Sequence, residues 1–292
     1  MSEVVAPVVV IGAGTMGRGI AVACVTAGFP TTIVDVDAAV LAAARDAATT
    51  SIAKRDPEVD VDALLSTSDD LERAVKGAGA VIEAVPEILP LKLDIFERLG
   101  RFAEPAALLA SNTSTMSVTR LAGACARPER VVGMHFFNPA HRMPLVEVIH
   151  GSLTAWPAVE DAVTLARRLG KEPVVVRDVP GFVTSRLGLL LGNEAMRLVE
   201  ERVASADDVD KAMRLGYRHP MGPLELADLV GLDARLNNVR SMFEQVGNEQ
   251  YRPPAILEQL VADGHLGRKT GRGFYRYGDD GTNLGPAADV TA

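Results

Sequence analysis

The sequence predicts an α/β protein: a mostly parallel β-sheet covered by helices, followed by an all-helical second region. Three observations carry this. Short β-branched runs alternate with Ala- and Leu-rich segments through the first part of the chain, the rhythm of strand–helix–strand units. The runs are almost continuously apolar, as strands buried on both faces must be. After Asp178-Val179-Pro180-Gly181 the alternation stops and helical patterns take over.

The predicted strands are Val8 to Ile11, Thr31 to Val34, Ala80 to Val85, Leu108 to Ser111, Val131 to Phe136, Leu145 to Ile149 and Pro173 to Val176. A helix from Met16 to Ala27 joins the first two. The domain boundary is placed at residue 179, dividing the chain into 1–179 and 180–292. The second region opens with one long helix through LGLLLGNEAMRLVEE, and Pro220, Gly222 and Pro223 break the helices further on. The tail GRKTGRGFYRY is glycine-rich and basic. After Asp279 the chain turns polar, so the last dozen residues are expected to be mobile.

The 292 residues are 48% hydrophobic and 23% charged, enough apolar material for a sizeable core. The formal net charge of −8 argues against nucleic acid or an anionic membrane as partner, since both require a basic surface. No apolar run is long enough to span a bilayer. The start MSEVVAPVVVIGAG carries no basic cluster and no small-residue cleavage site, so the chain reads as cytoplasmic. Cys24 and Cys125 are the two cysteines; they make neither a disulfide framework nor a metal pattern, and no metal is expected.

Residues 8–17 read VVVIGAGTMG. Gly12, Gly14 and Gly17 form G-x-G-x-x-G directly after a strand and at a helix start. The first glycine permits the tight turn, the second admits a pyrophosphate to backbone amides, and the third lets helix pack on strand. Ala13, Thr15 and Met16 complete this candidate cofactor loop. The next strand ends in Asp35, placed to accept hydrogen bonds from ribose hydroxyls and to repel a 2′-phosphate, which favours NAD over NADP. The competing reading is a glycine-rich turn with Asp35 as a helix cap, although Asp37 is the more ordinary capping acid.

SNTS at 111–114, GMHFFNPAHRMPLVEVI at 133–149, DVPGFVTSR, HPMGPLELADLVGLD and GRKTGRGFY occur in an order and spacing that resemble the L-3-hydroxyacyl-CoA dehydrogenase family, with the bacterial 3-hydroxybutyryl-CoA dehydrogenases nearest in pattern. The resemblance covers nearly the whole chain. It implies an N-terminal Rossmann-type NAD-binding domain and a helical C-terminal dimerisation and substrate domain, hence a homodimer acting on an acyl-CoA. It assigns His135 as the catalytic histidine and Glu147 as its partner. Imidazole suits removal of a hydroxyl proton while hydride leaves carbon, and a carboxylate fixes the tautomer. Their alternatives are a satisfied core histidine and a strand-end surface acid.

By the same resemblance Ser114 and Asn138 flank the substrate oxygen, where donors steady changing charge; Ser114 alternatively caps a helix in STMSVTRLA. Glu87 and Lys92 in VPEILPLK match nicotinamide-side contacts, and Lys269 matches a cofactor contact from the tail; their alternative is ordinary solvent-facing charge. Ser51 matches a coenzyme-A contact.

Three departures from the pattern bear on substrate. Ser185 stands where the family has asparagine in PGFVTSR, shorter but still able to donate and accept. The helical excursion after Asp35 is short and lacks the matching lysine, although Lys54 and Arg55 are close by. The turn NPAHRMP carries His141 and Arg142, either a solvated loop or a carboxylate- or phosphate-binding element facing the cleft. The leading expectation is NAD-dependent oxidation of a short-chain L-3-hydroxyacyl-CoA. A carrier-protein-bound or free hydroxy acid is the alternative substrate, and a non-catalytic dinucleotide-binding protein the remote alternative.

Overall fold

The computed structural model describes residues 7–287. The chain forms two compact units, the first ending at Phe182 and the second beginning at Val183. The first unit runs β1 (Val8–Ile11), α1 (Thr15–Thr26), β2 (Thr31–Val34), α2 (Ala38–Ala53), α3 (Val61–Leu64), β3 (Leu65–Ser68), α4 (Leu71–Ala74) and β4 (Ala80–Glu83). It continues with α5 (Leu89–Phe102), β5 (Leu108–Ser111), α6 (Val118–Ala122), β6 (Val131–Phe136), β7 (Leu145–His150), α7 (Trp156–Arg168) and β8 (Glu172–Arg177).

These strands make one eight-stranded sheet in the order β3-β2-β1-β4-β5-β6-β7-β8. All neighbours are parallel except β6 and β7, which are antiparallel. The strand period of two explains the unbroken apolar runs. Val8 and Val10 point into one core with α1 and α2 residues such as Ile20 and Ile52. Val9 and Ile11 point into the other, with Phe96 and Leu99 of α5. Burying each such side chain contributes roughly 1.5–3 kcal/mol.

β3 escaped the sequence reading because it is an edge strand. In LSTS only Leu65 is fully buried, so no apolar run marks it. At the other end of β1, Gly12 has φ +100°, and a Cβ on Gly17 would lie 1.8 Å from the Gly12 carbonyl oxygen. The turn therefore requires both glycines.

The second unit is helical: α8 (Thr184–Glu200), α9 (Ala206–Gly216), α10 (Pro223–Val230), α11 (Leu232–Val246) and α12 (Ala255–Ala262). α8 is the long helix expected after the boundary. A small antiparallel ribbon, β9 (Tyr275–Tyr277) with β10 (Asn283–Pro286), closes the unit. The expected mobility after Asp279 is thus corrected as far as residue 287, and residues 288–292 lie outside the described residues. Polar composition hid β10 because it is a half-exposed ribbon strand.

Two buried aspartates organise this unit. Asp210 accepts from the Leu224 and Glu225 amides at the start of α10 and from the Tyr275 hydroxyl. Asp228 accepts from the Phe274 and Tyr275 amides and the Tyr277 hydroxyl. A Cβ on Gly222 would sit 2.1 Å from Asp210, and one on Gly273 2.0 Å from Asp228. The glycines in HPMGP and GRGFY are therefore where carboxylates press on backbone.

Burial pushes the Asp228 carboxyl up from 3.8 to about 6, against the pull of its donors. The folded state holds that proton to higher pH than the unfolded chain does. The associated stability is complete below about pH 4 and is lost as pH rises through about 6. Relative to the non-titrating Asp228→Asn variant, the wild-type protein should lose roughly 3 kcal/mol between about pH 4 and pH 7. Urea unfolding of both at stepped pH reads this, and a difference independent of pH contradicts it.

Candidate active site

A cavity of about 850 Å³ opens in the first unit at the C-terminal ends of β1, β2, β4, β5 and β6. The chain crosses outward from β1 to β2 and β3, then returns to place β4 on the other side of β1. Such a reversal leaves a crevice above the strand ends, where α/β sheets bind ligands.

One end of the cavity is built for a dinucleotide. Gly14 is the N-cap of α1 and offers no side-chain cap, and the first turn holds no acid. The free amides and helix dipole at that end suit a pyrophosphate. A Cβ on Gly14 would meet nothing within 4 Å, so the space beside it is open. Thr15 and Met16 line the cavity, whereas Ala13 is nearly fully buried. The Ala13 amide donates to Asp35 Oδ2 at 2.8 Å and fixes the acid at the rim. Asp37, not Asp35, caps α2, through the Ala39 and Val40 amides. These residues fit NAD: a bare helix N-terminus, room beside Gly14 and an oriented acid for ribose.

At the other end lie His135, Asn138, Ser114 and Glu87. His135 on β6 and Glu147 on β7 are directly opposed in the antiparallel register. Opposed residues present their side chains on one face, and His135 Nδ1 lies 2.8 Å from Glu147 Oε2. Glu147 is fully buried and His135 is 8% exposed. The imidazole sits beside Phe137, 4.6 Å between centroids, and Phe182, 6.0 Å. Asn138 is exposed, two residues beyond the end of β6.

Glu87 Oε1 accepts from the Thr113 hydroxyl at 2.9 Å and from the Ser114 amide and hydroxyl at 2.7 and 3.3 Å. Ser114 caps no helix; Ser117 caps α6. Lys92 is not a solvent-facing charge. It is 1% exposed, paired with Glu83 at 2.6 Å and 3.4 Å from Glu87. Sequence reasoning missed Glu83, which also accepts from Ser111, and Asn112, whose side-chain oxygen accepts from the Phe136 amide. The one available signal was an acid ending the apolar strand AVIE.

Ser51 is half-buried on α2 and lines no cavity described here. Arg142 is exposed and also lines neither. His141 lines a second cavity of about 250 Å³ with Arg55 and Arg168, and Arg55 donates to the His141 carbonyl. Burial and then the positive charges of Arg55, Arg142, Lys171 and Arg18 hold the His141 imidazole below its usual range. Ser185 and Lys269 belong to the second unit; Ser185 is in the first turn of α8, and Lys269 pairs with Asp233 at 2.6 Å.

Glu147→Ala should leave the His135 Nδ1 nitrogen without its carboxylate partner and cost roughly 1–3 kcal/mol, with Glu147→Gln recovering part of the loss. Thermal unfolding checks the stability, and nitrogen NMR of the imidazole checks the tautomer. Equal losses in the two variants would contradict the pairing as described.

Comparison with known proteins agrees with this geometry. A family model described as 3-hydroxyacyl-CoA dehydrogenase, NAD binding domain, matches residues 7–179, and the 3-hydroxyacyl-CoA dehydrogenase, C-terminal domain, matches 181–277. The chain is 41% identical over 278 residues to a probable 3-hydroxybutyryl-CoA dehydrogenase of Bacillus subtilis (strain 168), covering 92% of this chain and 96% of that protein. It is 38% identical over 284 residues to the mitochondrial hydroxyacyl-coenzyme A dehydrogenase of Sus scrofa, covering 92% and 90%. Among solved structures, the (S)-3-hydroxybutyryl-CoA dehydrogenase of Ralstonia eutropha aligns with a TM-score of 0.89 at 36% identity, covering 94% of this chain and all of that one. The nucleotide-binding turn, the opposed histidine and glutamate and these matches across both units place the chain in the 3-hydroxyacyl-CoA dehydrogenase family of NAD-dependent oxidoreductases.

Proposed function

We propose that the protein oxidises a short-chain, 3-hydroxybutyryl-like L-3-hydroxyacyl-CoA to the 3-oxoacyl-CoA, with His135 as general base. The observation that carries this is the buried His135–Glu147 pair at the far end of the dinucleotide cavity. A carboxylate only accepts hydrogen bonds, so Glu147 draws the imidazole proton to Nδ1 and leaves the Nε2 lone pair for substrate. His135 takes the hydroxyl proton, and Glu147 stabilises the imidazolium that results. NAD, when bound, supplies the hydride acceptor. In reduction the imidazolium returns the proton.

Ser114 and Asn138 are the donors for the substrate oxygen as its charge changes. Glu87, Lys92 and Lys269 serve the cofactor, and Ser51, Ser185 and Arg142 the acyl carrier. Ser185, shorter than the asparagine usual in the family, reaches its partner through water or makes a weaker contact. We read the protein as a cytoplasmic homodimer. Among the described residues no helix is long and apolar enough to cross a membrane. Leu226, Leu229 and Val230 on α10 are exposed apolar side chains that a second copy would cover.

A second reading, a carrier-bound or free hydroxy acid, is favoured by the cation-rich surroundings of His141. An NADH-linked assay across acyl lengths, comparing coenzyme-A thioesters with carrier-bound and free acids, separates the two. His135→Gln should lower kcat on the order of a thousandfold or more while NAD affinity stays near wild type. Retained turnover removes His135 as the base.

A further inference from the structure

We propose that Glu83 makes the hydride-accepting end of the cavity net negative and thereby biases the protein toward the oxidised dinucleotide. The inference rests on reading the cavity as the NAD site.

Glu83 ends β4 and is completely buried. Its Oε1 accepts from Lys92 Nζ at 2.6 Å and the Val85 amide at 2.8 Å, and its Oε2 from the Ser111 hydroxyl at 2.7 Å. Glu87 Oε1 accepts from Thr113 and Ser114, and its Oε2 lies 3.4 Å from Lys92. Every contact named for either carboxylate comes from a donor, which is the environment of the ionised form. Two carboxylates thus share one ammonium. Lys92 stands closer to Glu83 than to Glu87 and is inaccessible to water, so its charge is held by the buried acid. Glu87, which lines the cavity, keeps a negative charge that Lys92 would otherwise cancel. Arg98, the cation that also lines the cavity, is half-exposed and lies 3.5 Å from Glu72 and 3.9 Å from Asp94, two carboxylates that take up its charge.

The surplus charge lies where it can discriminate. Gly14 would hold the pyrophosphate and Asp35 the ribose at one end of a bound dinucleotide. Its reacting ring must lie within reach of the carbon whose hydroxyl faces His135, and Glu87 and Ser114 border that end. On oxidation, the substrate carbon gives a hydride to the ring, and its hydroxyl gives a proton to His135. With NAD bound, the imidazole would gain the positive charge that the dinucleotide gives up. Positive charge passes from the neighbourhood of Glu87 to Glu147. Glu147 serves the charge formed, and the Glu83–Lys92–Glu87 cluster serves the charge that disappears. One net negative charge beside the ring favours the cationic form over the neutral one, by more where a bound dinucleotide would cover Glu87 from water.

The ratio of dissociation constants for NADH and NAD⁺ reads this directly, by fluorescence titration of NADH and its displacement by NAD⁺. Glu83→Gln should lower the ratio by about tenfold, because Lys92 then neutralises Glu87. Lys92→Met should raise it, and Ser111→Ala, which keeps the charges, should leave it within about twofold. If one charge variant does not fold, the other carries the test through the sign of its shift. An unchanged ratio in each folded charge variant, or a shift of the opposite sign, overturns the proposal and leaves Glu83 a packing residue. Failure of the wild-type protein to bind either nucleotide would overturn the dinucleotide reading itself, and this inference with it.

Discussion

Where β7 returns antiparallel to β6, His135 and Glu147 become opposed residues of one ladder. Every other strand pairing in the sheet is parallel. In a parallel sheet the chain crosses over a helix between neighbouring strands, and close side-chain pairs come from distant segments. The single reversal lets a short loop carry the chain from base to orienting acid within twelve residues, with backbone hydrogen bonds fixing their separation. The geometry is rigid because strands hold it, and a base held by strands needs no ordering when substrate arrives.

The cavity depends on the same topology. Six strands run one way, so their C-terminal ends gather the glycine turn after β1, Asp35 after β2, Glu83 at the end of β4, Asn112 after β5 and His135 on β6. Each belongs to a different strand–helix unit. The reversal between β1 and β4 opens the space that the glycine turn and the helix N-terminus face.

Buried acids are used differently in the two units. In the first, Glu83 and Glu147 are costly buried charges whose partners are a lysine and a histidine. In the second, Asp210 and Asp228 take backbone amides and tyrosine hydroxyls, and glycines without side chains come up against them. They tie α10 to the segment around β9. The sequence motifs that carry the resemblance in this second unit are thus largely devices for folding it.

Much of this was legible in the residues. Almost continuously apolar runs marked seven strands, three glycines after a strand marked the nucleotide turn, and an acid ending the next strand marked Asp35, because each depends on neighbours a few positions away. The resemblance pointed to His135 and Glu147. Other features depended on which distant residues meet. β3 and β10 are half-exposed and carry no apolar run. Lys92 is matched to a cofactor contact by the resemblance, but nothing in the sequence shows that Glu83 stands against it, and the cap that was the alternative for Ser114 belongs to Ser117. Local periodicity and turn chemistry therefore determined the architecture from sequence alone. The charge on each polar group, its burial and its partner were decided only in the tertiary structure, because the cost of a buried charge is set by what stands opposite it.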